Sequence, residues 1–283
     1  MRIAILSPVW FAVPPSGYGG IEWVVSLLAD GLADAGHDVT LFASGDSHSK
    51  ARLSYVFELA PSEQIGKSLP ELRHALACFD RAGDFDVIND HSGPLSIALG
   101  DLVETPVLHT VHGPLDGDPG RVYEGLAQLA PGVGLISISL NQRQDPKEHR
   151  YFHELVEPHL VEGIEYLGEV SHGEKVELLQ NARATLFPIE WEEPFGLVMI
   201  ESMACGTPVI ATRHGAVPEV IEDGASGIVV GNYREMPAAL DRADVLDPLE
   251  CRRYVEERYA PERMVEDYLR VYEAAVARAS ASV

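Results

Sequence analysis

The chain has 283 residues, of which 46% are hydrophobic and 23% are charged, as expected of an ordinary globular protein with one or two domains. Its formal net charge of −23 argues against a nucleic-acid partner, because binding to phosphate backbones needs clustered lysine and arginine. Neither a signal-peptide pattern nor an apolar run of the roughly 18–20 residues that span a membrane is recognisable, so we expect a cytoplasmic protein.

Short apolar runs alternate with amphipathic segments along the chain. The predicted strands are Arg2–Ser7, Asp38–Phe42, Asp86–Asn89, Pro106–Thr110, Gly134–Ser139, Gly163–Leu167, Ala184–Phe187, Pro208–Ala211 and Gly227–Val230. The predicted helices are Ile21–Ala35, Leu69–Arg81, Gly120–Leu129, Lys147–Val161, Gly173–Asn181, Leu249–Arg258 and Pro261–Arg278. The strands are rich in Val, Ile and Leu, as parallel strands buried on both faces are. The alternation predicts an α/β fold of two Rossmann-like, doubly wound domains.

The polar stretch Leu140–Asp145 is the predicted domain boundary. It divides the chain into an N-terminal domain, 1–143, and a C-terminal domain, 144–283, each near the usual domain size. Ligands of open parallel sheets bind beyond the carboxyl ends of the strands. Two such domains facing each other would therefore hold their ligand in the cleft between them.

Cysteine and histidine spacing gives no support for a metal or a disulfide. Cys78, Cys205 and Cys251 are far apart and form no CxxC pair, so we expect buried thiols in a reducing compartment. The histidines show no ligand spacing such as HExxH.

A glycine-rich loop follows the first predicted strand and leads into a helix. Gly17, Gly19 and Gly20 allow the backbone to approach a ligand closely, and the helix start offers free N–H groups to an anion. A plain flexible loop would explain the glycines as well. Glu22 is expected to be an acid that complements the helix dipole.

Two histidines follow predicted strands. His112 stands where a doubly wound fold exposes residues to its crevice, and it can bond a ligand hydroxyl, act as an acid or base, or bond a loop carbonyl. His91 is a weaker candidate of the same kind. His109 lies inside a strand and is expected to be structural.

The stretch 190–206, EWEEPFGLVMIESMACG, places two carboxylates around a Pro-Phe-Gly turn. Pro194 suits the first helical position, which would put Glu193 at the helix mouth and Glu201 about 2.2 turns further in. Both could face one cleft. Alternatively, Glu193 is only a favourable acid at a helix N-terminus and Glu201 a solvated helix residue.

These motifs together resemble a known family. The glycine-rich loop with GGIEWVV, the strand end HTVHG and the long block from YLGEVSHGEKVELL to EDGASGIVV resemble the retaining nucleotide-sugar glycosyltransferases of the GT-B fold, family four, also called glycosyl transferases group 1. The likeness runs in order over nearly the whole chain, and the last block is highly specific.

The resemblance implies transfer of a sugar from a UDP- or GDP-linked donor to a hydroxyl acceptor, with no metal and no cofactor. Glu193 would lie by the donor sugar, Glu201 would accept the ribose hydroxyls, and His112 would bond the sugar. The loop glycine, Gly20, would lie near the donor phosphate or the acceptor, and the backbone of Phe195, Gly196 and Leu197 would contact the sugar and phosphate.

One part of the family pattern does not match. The family begins its C-terminal domain with a strand that ends in Gly-Arg, followed by Lys-Gly, and this Arg and Lys hold the donor diphosphate. Here GLISISLNQRQ runs almost directly into DPKEHRYFHELVEP, and neither Arg143 nor Lys147 fits the motif. Either a segment is left out near these residues, or the protein is shortened. The second case favours a nucleotide-sugar binding protein without turnover, and a nucleotide-sugar epimerase is a further alternative.

Overall fold

The computed structural model describes residues 1–17, 19–113, 117–138, 167 and 170–281. The predicted boundary Leu140–Asp145 and the predicted helix Lys147–Val161 lie outside the described residues. The predicted strand Gly163–Leu167 does so too, apart from its last residue. The chain between Arg143 and Lys147, where a left-out segment would show, is also outside them.

The first half of the chain forms a parallel sheet whose strands run in the order β3-β2-β1-β4-β5-β6. The strands are β1 Arg2–Leu6, β2 Asp38–Phe42, β3 Arg52–Ser54, β4 Val87–Asp90, β5 Val107–Val111 and β6 Gly134–Ser137. The chain moves outward from β1 in one direction to β3 and then returns to the other side of β1 with β4. The carboxyl ends of β1 and β4 therefore flank the switch point where doubly wound sheets open a crevice.

Helices cover both faces of this sheet. They are α1 Gly20–Asp34, α2 Ser68–Phe79, α3 Leu95–Gly100 and α4 Gly117–Leu129. Successive residues of β1 point to opposite faces, so Ile3 and Ile5 pack under α1 while Ala4 and Leu6 pack with the residues of α2. Each fully buried Ile or Leu side chain contributes about 1.5–3 kcal/mol, and both faces are apolar because both are covered.

The second half carries a smaller parallel sheet in the order β7-β8-β9. Its strands are β7 Thr185–Phe187, β8 Val209–Thr212 and β9 Gly227–Val230. The helices of this half are α5 His172–Asn181, α6 Leu197–Ala204, α7 Val217–Val220, α8 Met236–Ala243, α9 Pro248–Arg258 and α10 Pro261–Ala281. The expected α/β architecture with two parallel sheets is thus confirmed.

The last helix returns to the first half of the chain. Val265 and Tyr272 of α10 are buried in the core cluster that also holds residues of α1 and β1. A Cβ atom at Gly31 of α1 would lie only 2.4 Å from a methyl carbon of Val265, so the glycine allows the two helices to meet closely. The C-terminal helix therefore ties the two halves together.

The structure differs from the sequence-based expectations in short elements. The strand β3 and the helices α3, α7 and α8 were not predicted, because segments of three to eight residues carry too few periods of the hydrophobic pattern. Cys78 and Cys251 are buried as expected, but the expectation of burial is wrong for Cys205, which is partly exposed at the end of α6. None of the helices in the described part of the chain is long and apolar enough to cross a membrane.

Candidate functional site

The Pro-Phe-Gly turn leads into α6 in a different way from that expected. The helix begins at Leu197, with Gly196 as its N-cap, so the placement of Pro194 at the first helical position is wrong. Gly196 has a φ of 77°, which favours glycine, and a Cβ atom there would lie 2.6 Å from the terminal methyl of Met199. The turn therefore depends on glycine, and Pro194 lies in the loop before it.

Glu193 is held in this loop by its neighbours. The indole Nε1 of Trp191 donates to the Oε2 atom of Glu193 at 3.1 Å, and the Glu193 carbonyl accepts from the Ala216 N–H at 2.8 Å. Gly215, in the loop after β8, lies so close that a Cβ atom there would be 2.2 Å from the Glu193 nitrogen. The loop after β8 thus fixes the backbone of Glu193, and the half-buried carboxylate is bonded to Trp191.

Glu201 lies on α6 and forms an ion pair with Lys175 of α5. The Lys175 Nζ atom donates to Oε1 of Glu201 at 2.6 Å, and the two side chains are 32% and 35% exposed. Sequence reasoning missed Lys175. The capping box formed by Ser171 and Glu174 marks the start of α5. The sequence does not show which carboxylate Lys175, the residue after this box, contacts. We call Glu193, Glu201 and Lys175 the carboxylate side of the site.

Residues of the two halves meet in front of α6. A Cβ atom on Gly20, at the start of α1, would lie 3.2 Å from the Leu197 side chain, at the start of α6. The two halves also meet at Trp23 of α1 and His172 of α5, whose ring centroids are 5.6 Å apart. The structure therefore brings two of the predicted donor-site positions, Gly20 and Leu197, together from opposite halves.

His112 follows β5 and is bonded to a second histidine. Its Nε2 atom lies 2.8 Å from Nδ1 of His91, and Nε2 of His91 lies 2.7 Å from the amide nitrogen of Asn89. Burial, with a smaller effect of the nearby His109 charge, lowers the pKa of His112 to about 4. Burial likewise lowers the pKa of His91 well below its ordinary value. We call Asn89, His91 and His112 the histidine side of the site.

A buried acid–base pair lies beneath the histidine side. Asp90 accepts from Nδ1 of His109 at 2.6 Å, and from the backbone and hydroxyl of Ser92 at 2.8 and 2.7 Å. The hydroxyl of Ser96 bonds the same carboxylate. Burial acts to raise the pKa of Asp90, but the His109 charge and these hydrogen bonds bring it below its ordinary value. Full burial of His109 in this pair fits the structural role expected of it.

Glu22 lies in the first turn of α1, the position of an acid that complements the helix dipole. It is buried in the first turn of α1, where a Cβ atom on Gly19 would be 2.9 Å from its Oε2 atom. Burial raises the pKa of Glu22 to about 7, although its own backbone N–H favours the charged form. The acid is thus only partly ionised at neutral pH.

Among the described residues, no group of three or more histidine, cysteine, aspartate or glutamate side chains could hold a metal ion. Metal independence stays a prediction.

Two family models match successive parts of the chain. The model described as Glycosyltransferase Family 4 matches residues 18–133, and the model described as Glycosyl transferases group 1 matches residues 133–258. The second match includes the whole carboxylate side.

Curated relatives align with about half of the chain. A probable sucrose-phosphate synthase of Thermosipho melanesiensis is 34% identical over 152 residues, which are 51% of this chain and 35% of that protein. A D-inositol 3-phosphate glycosyltransferase of Paenarthrobacter aurescens is 28% identical over 127 residues, 45% of this chain and 31% of that protein. The match therefore spans only about a third of the length of each relative.

Solved structures align over nearly the whole chain. The sucrose-phosphate synthase of Thermosynechococcus elongatus superposes with a TM-score of 0.64 at 16% identity, covering 98% of this chain and all of that one. HepE of Anabaena, solved in complex with UDP and glucose, gives the same TM-score at 16% identity, covering 97% and 100%. At such identities the likeness shows the fold, and it confirms the expected GT-B architecture. The family models, which together match residues 18–258, show that the chain belongs to the group 1 glycosyltransferases.

Proposed function

We propose that the protein transfers a sugar, with retention of configuration, from a nucleotide diphosphate sugar to a hydroxyl acceptor. The observation that carries the proposal is the meeting of Gly20 with Leu197 at the start of α6. This contact places the glycine-rich loop of the first half against the helix that bears Glu201. Membership of the group 1 family supports the assignment of this junction as the donor site.

Glu201 is the proposed contact of the nucleotide ribose. A carboxylate accepts hydrogen bonds only, so its oxygens suit two neighbouring hydroxyl groups. In the free protein one oxygen, Oε1, is bonded to Lys175, and both side chains are about one-third exposed. An ion pair of this exposure contributes little stability, so ribose hydroxyls can share or displace it at small cost.

Glu193 and His112 are the proposed contacts of the transferred sugar. Trp191 and the Gly215 loop fix Glu193, and His91 fixes His112, so neither group must be ordered when the sugar binds. No enzyme nucleophile is assigned, because same-face attack needs only that donor and acceptor are held together and that the leaving diphosphate is stabilised.

The donor base is proposed to be uracil, with guanine as the alternative. Support for uracil comes from the Anabaena structure, whose complex holds UDP and glucose. The net charge of −23 makes general electrostatic attraction of a diphosphate unfavourable, so binding must rest on local contacts such as backbone N–H groups.

A panel of UDP-, GDP- and ADP-sugars in a thermal-shift assay tests the proposal. Binding to the folded state alone stabilises a protein by about 2.7 kcal/mol at a ligand concentration of 100 Kd, so a true donor should raise the Tm clearly. Glu201→Gln should reduce the shift. Glu177→Ala is the matched control, because Glu177 is an exposed acid on α5.

The outcomes separate the proposal from its alternatives. No shift with any nucleotide sugar would contradict a donor site. A shift without product from any hydroxyl acceptor would favour a binding protein without turnover, which the mismatch to the family's Arg and Lys also favours. Interconversion of the sugar without an acceptor would identify an epimerase.

A further inference from the structure

A hydrogen-bonded relay runs from α10 to His112. Tyr272 of α10 accepts from the amide nitrogen of Asn89 at 2.6 Å, and the same nitrogen lies 2.7 Å from Nε2 of His91. Nδ1 of His91 then lies 2.8 Å from Nε2 of His112. Asn89, His91 and Tyr272 are all fully or almost fully buried, so water cannot replace a missing partner in the relay.

The hydrogen bonds of Asn89 determine which groups of the relay donate and which accept. Its amide nitrogen has two hydrogens, and both have acceptors, the Tyr272 hydroxyl oxygen and Nε2 of His91. Its carbonyl oxygen accepts from the Thr110 hydroxyl at 3.1 Å. Asn89 is therefore the donor to His91.

The protons of both imidazoles follow from that direction. Burial lowers the pKa of His91 and of His112, so each ring is neutral near pH 7 and carries one proton. Because Nε2 of His91 accepts from Asn89, its proton is on Nδ1 and is donated to Nε2 of His112. The proton of His112 is then on Nδ1.

We propose that Asn89 and His91 are positioning residues that hold His112 as a single neutral tautomer with its proton on Nδ1. His112 then presents an N–H donor, and not a lone pair, to its ligand. Only the identity of that ligand, an oxygen of the transferred sugar, rests on the proposed function. The relay also makes the docking of α10 a condition for the arrangement of His112, because Tyr272 bonds the amide that starts it.

Long-range ¹H–¹⁵N correlation spectra of the histidine-labelled protein at pH 7 test the tautomer directly. The His112 ring is assigned as the set of signals that is lost in His112→Gln. We expect Nδ1 of His112 to show the shift of a protonated nitrogen and Nε2 that of an unprotonated one. A proton on Nε2, or on both nitrogens, would overturn the proposal without regard to any substrate.

Two matched substitutions test the role of the relay. His91→Phe keeps a ring but removes the donor to His112, so the His112 signals should move towards those of a tautomer mixture. His74→Phe makes the same change at another buried histidine, on α2, and should leave the His112 signals unchanged. Unchanged His112 signals in His91→Phe would contradict the proposal; if that variant does not fold, the wild-type spectrum alone decides.

Activity provides the second readout. With the donor found in the thermal-shift panel, His91→Phe should lower kcat/KM about tenfold, the size of one hydrogen-bond contribution, and leave the affinity for the free nucleotide unchanged. If the affinity for the free nucleotide fell by the same factor as kcat/KM, the variant would have a general structural defect, and this result would count against the relay. If no donor binds, the proposed function fails, while the spectra still decide the tautomer.

Discussion

Two acid–base pairs of the molecule differ sharply in their surroundings. The Asp90–His109 pair has no exposed side-chain surface and a separation of 2.6 Å, whereas the Lys175–Glu201 pair has the same separation with both side chains about one-third exposed. A buried pair that loses one partner leaves an uncompensated group out of reach of water, but an exposed pair is solvated when it opens. The buried pair therefore gives fixed support beneath the histidine side, and Glu201 of the carboxylate side can exchange Lys175 for a ligand.

Loss of the buried acid should have the largest effect. Asp90→Ala removes the partner of His109 and the acceptor for Ser92 and Ser96, so we expect the free energy of unfolding to fall by about 3–5 kcal/mol. Urea denaturation measures this change. Asp118→Ala is the control, because Asp118 is 91% exposed in its pair with Arg121 and should change stability little. A small effect of Asp90→Ala would contradict the view that the histidine side is rigidly supported.

Glu22 should give the protein an unusual pH dependence. Its pKa in the folded state is about 7, above the ordinary value of 4.5, so between these pH values the folded state binds more protons than the unfolded state. The contribution of Glu22 to the free energy of unfolding is complete below about pH 4.5. It is lost as the pH rises through about 7, and the loss amounts to about 3 kcal/mol.

Glu22→Gln separates this effect from that of the histidines. The lowered pKa values of His91 and His112 act in the opposite sense, since a histidine whose pKa is lowered by folding adds stability as the pH rises towards its ordinary pKa; for His112 this rise begins at about pH 4. Relative to wild type, the Gln variant should gain about 3 kcal/mol at pH 8 and almost nothing at pH 4.5, as measured by urea denaturation at both values. Equal differences at the two pH values would show that Glu22 is not buried as described.

Gly215 tests how firmly Glu193 is held. A Cβ atom there would meet the backbone of Glu193 at 2.2 Å, and the φ of 57° adds strain, so Gly215→Ala should cost more than about 2 kcal/mol. Gly224→Ala is the matched control. Gly224 also has a positive φ, of 82°, but no heavy atom lies within 4 Å of the added carbon, so only about 1–2 kcal/mol of strain is expected. Equal losses of stability in the two variants would mean that the loop carrying Glu193 moves away freely from the added carbon.

The sequence predicted the described strands of both sheets apart from the three-residue β3, because buried parallel strands are apolar runs of recognisable length. Asp38–Phe42 and Gly227–Val230 coincide with the observed strands. It placed the start of α6 wrongly, since Pro194 is favourable at a first helical position but the left-handed conformation of Gly196 determines where the helix begins.

Side-chain partners distant in the sequence could not be predicted. Lys175 and Glu201 are on different helices, and Asn89 and Tyr272 are 183 positions apart. Their pairing depends on how α5 packs on α6 and on how α10 returns to the first half. Sequence patterns within one element contain no information on either packing.

We propose that Glu201, on the carboxylate side, binds the nucleotide and that His112, on the histidine side, binds the transferred sugar. Isothermal titration of wild type, Glu201→Gln and His112→Gln with UDP and with the UDP-sugar selected by the thermal-shift panel tests this division. Glu201→Gln should weaken both ligands by about tenfold, the contribution of about one hydrogen bond to a charged group, and His112→Gln should weaken only the UDP-sugar. The proposal would be contradicted if His112→Gln weakened the binding of UDP as much as that of the UDP-sugar. It would also be contradicted if Glu201→Gln changed the affinity for neither ligand.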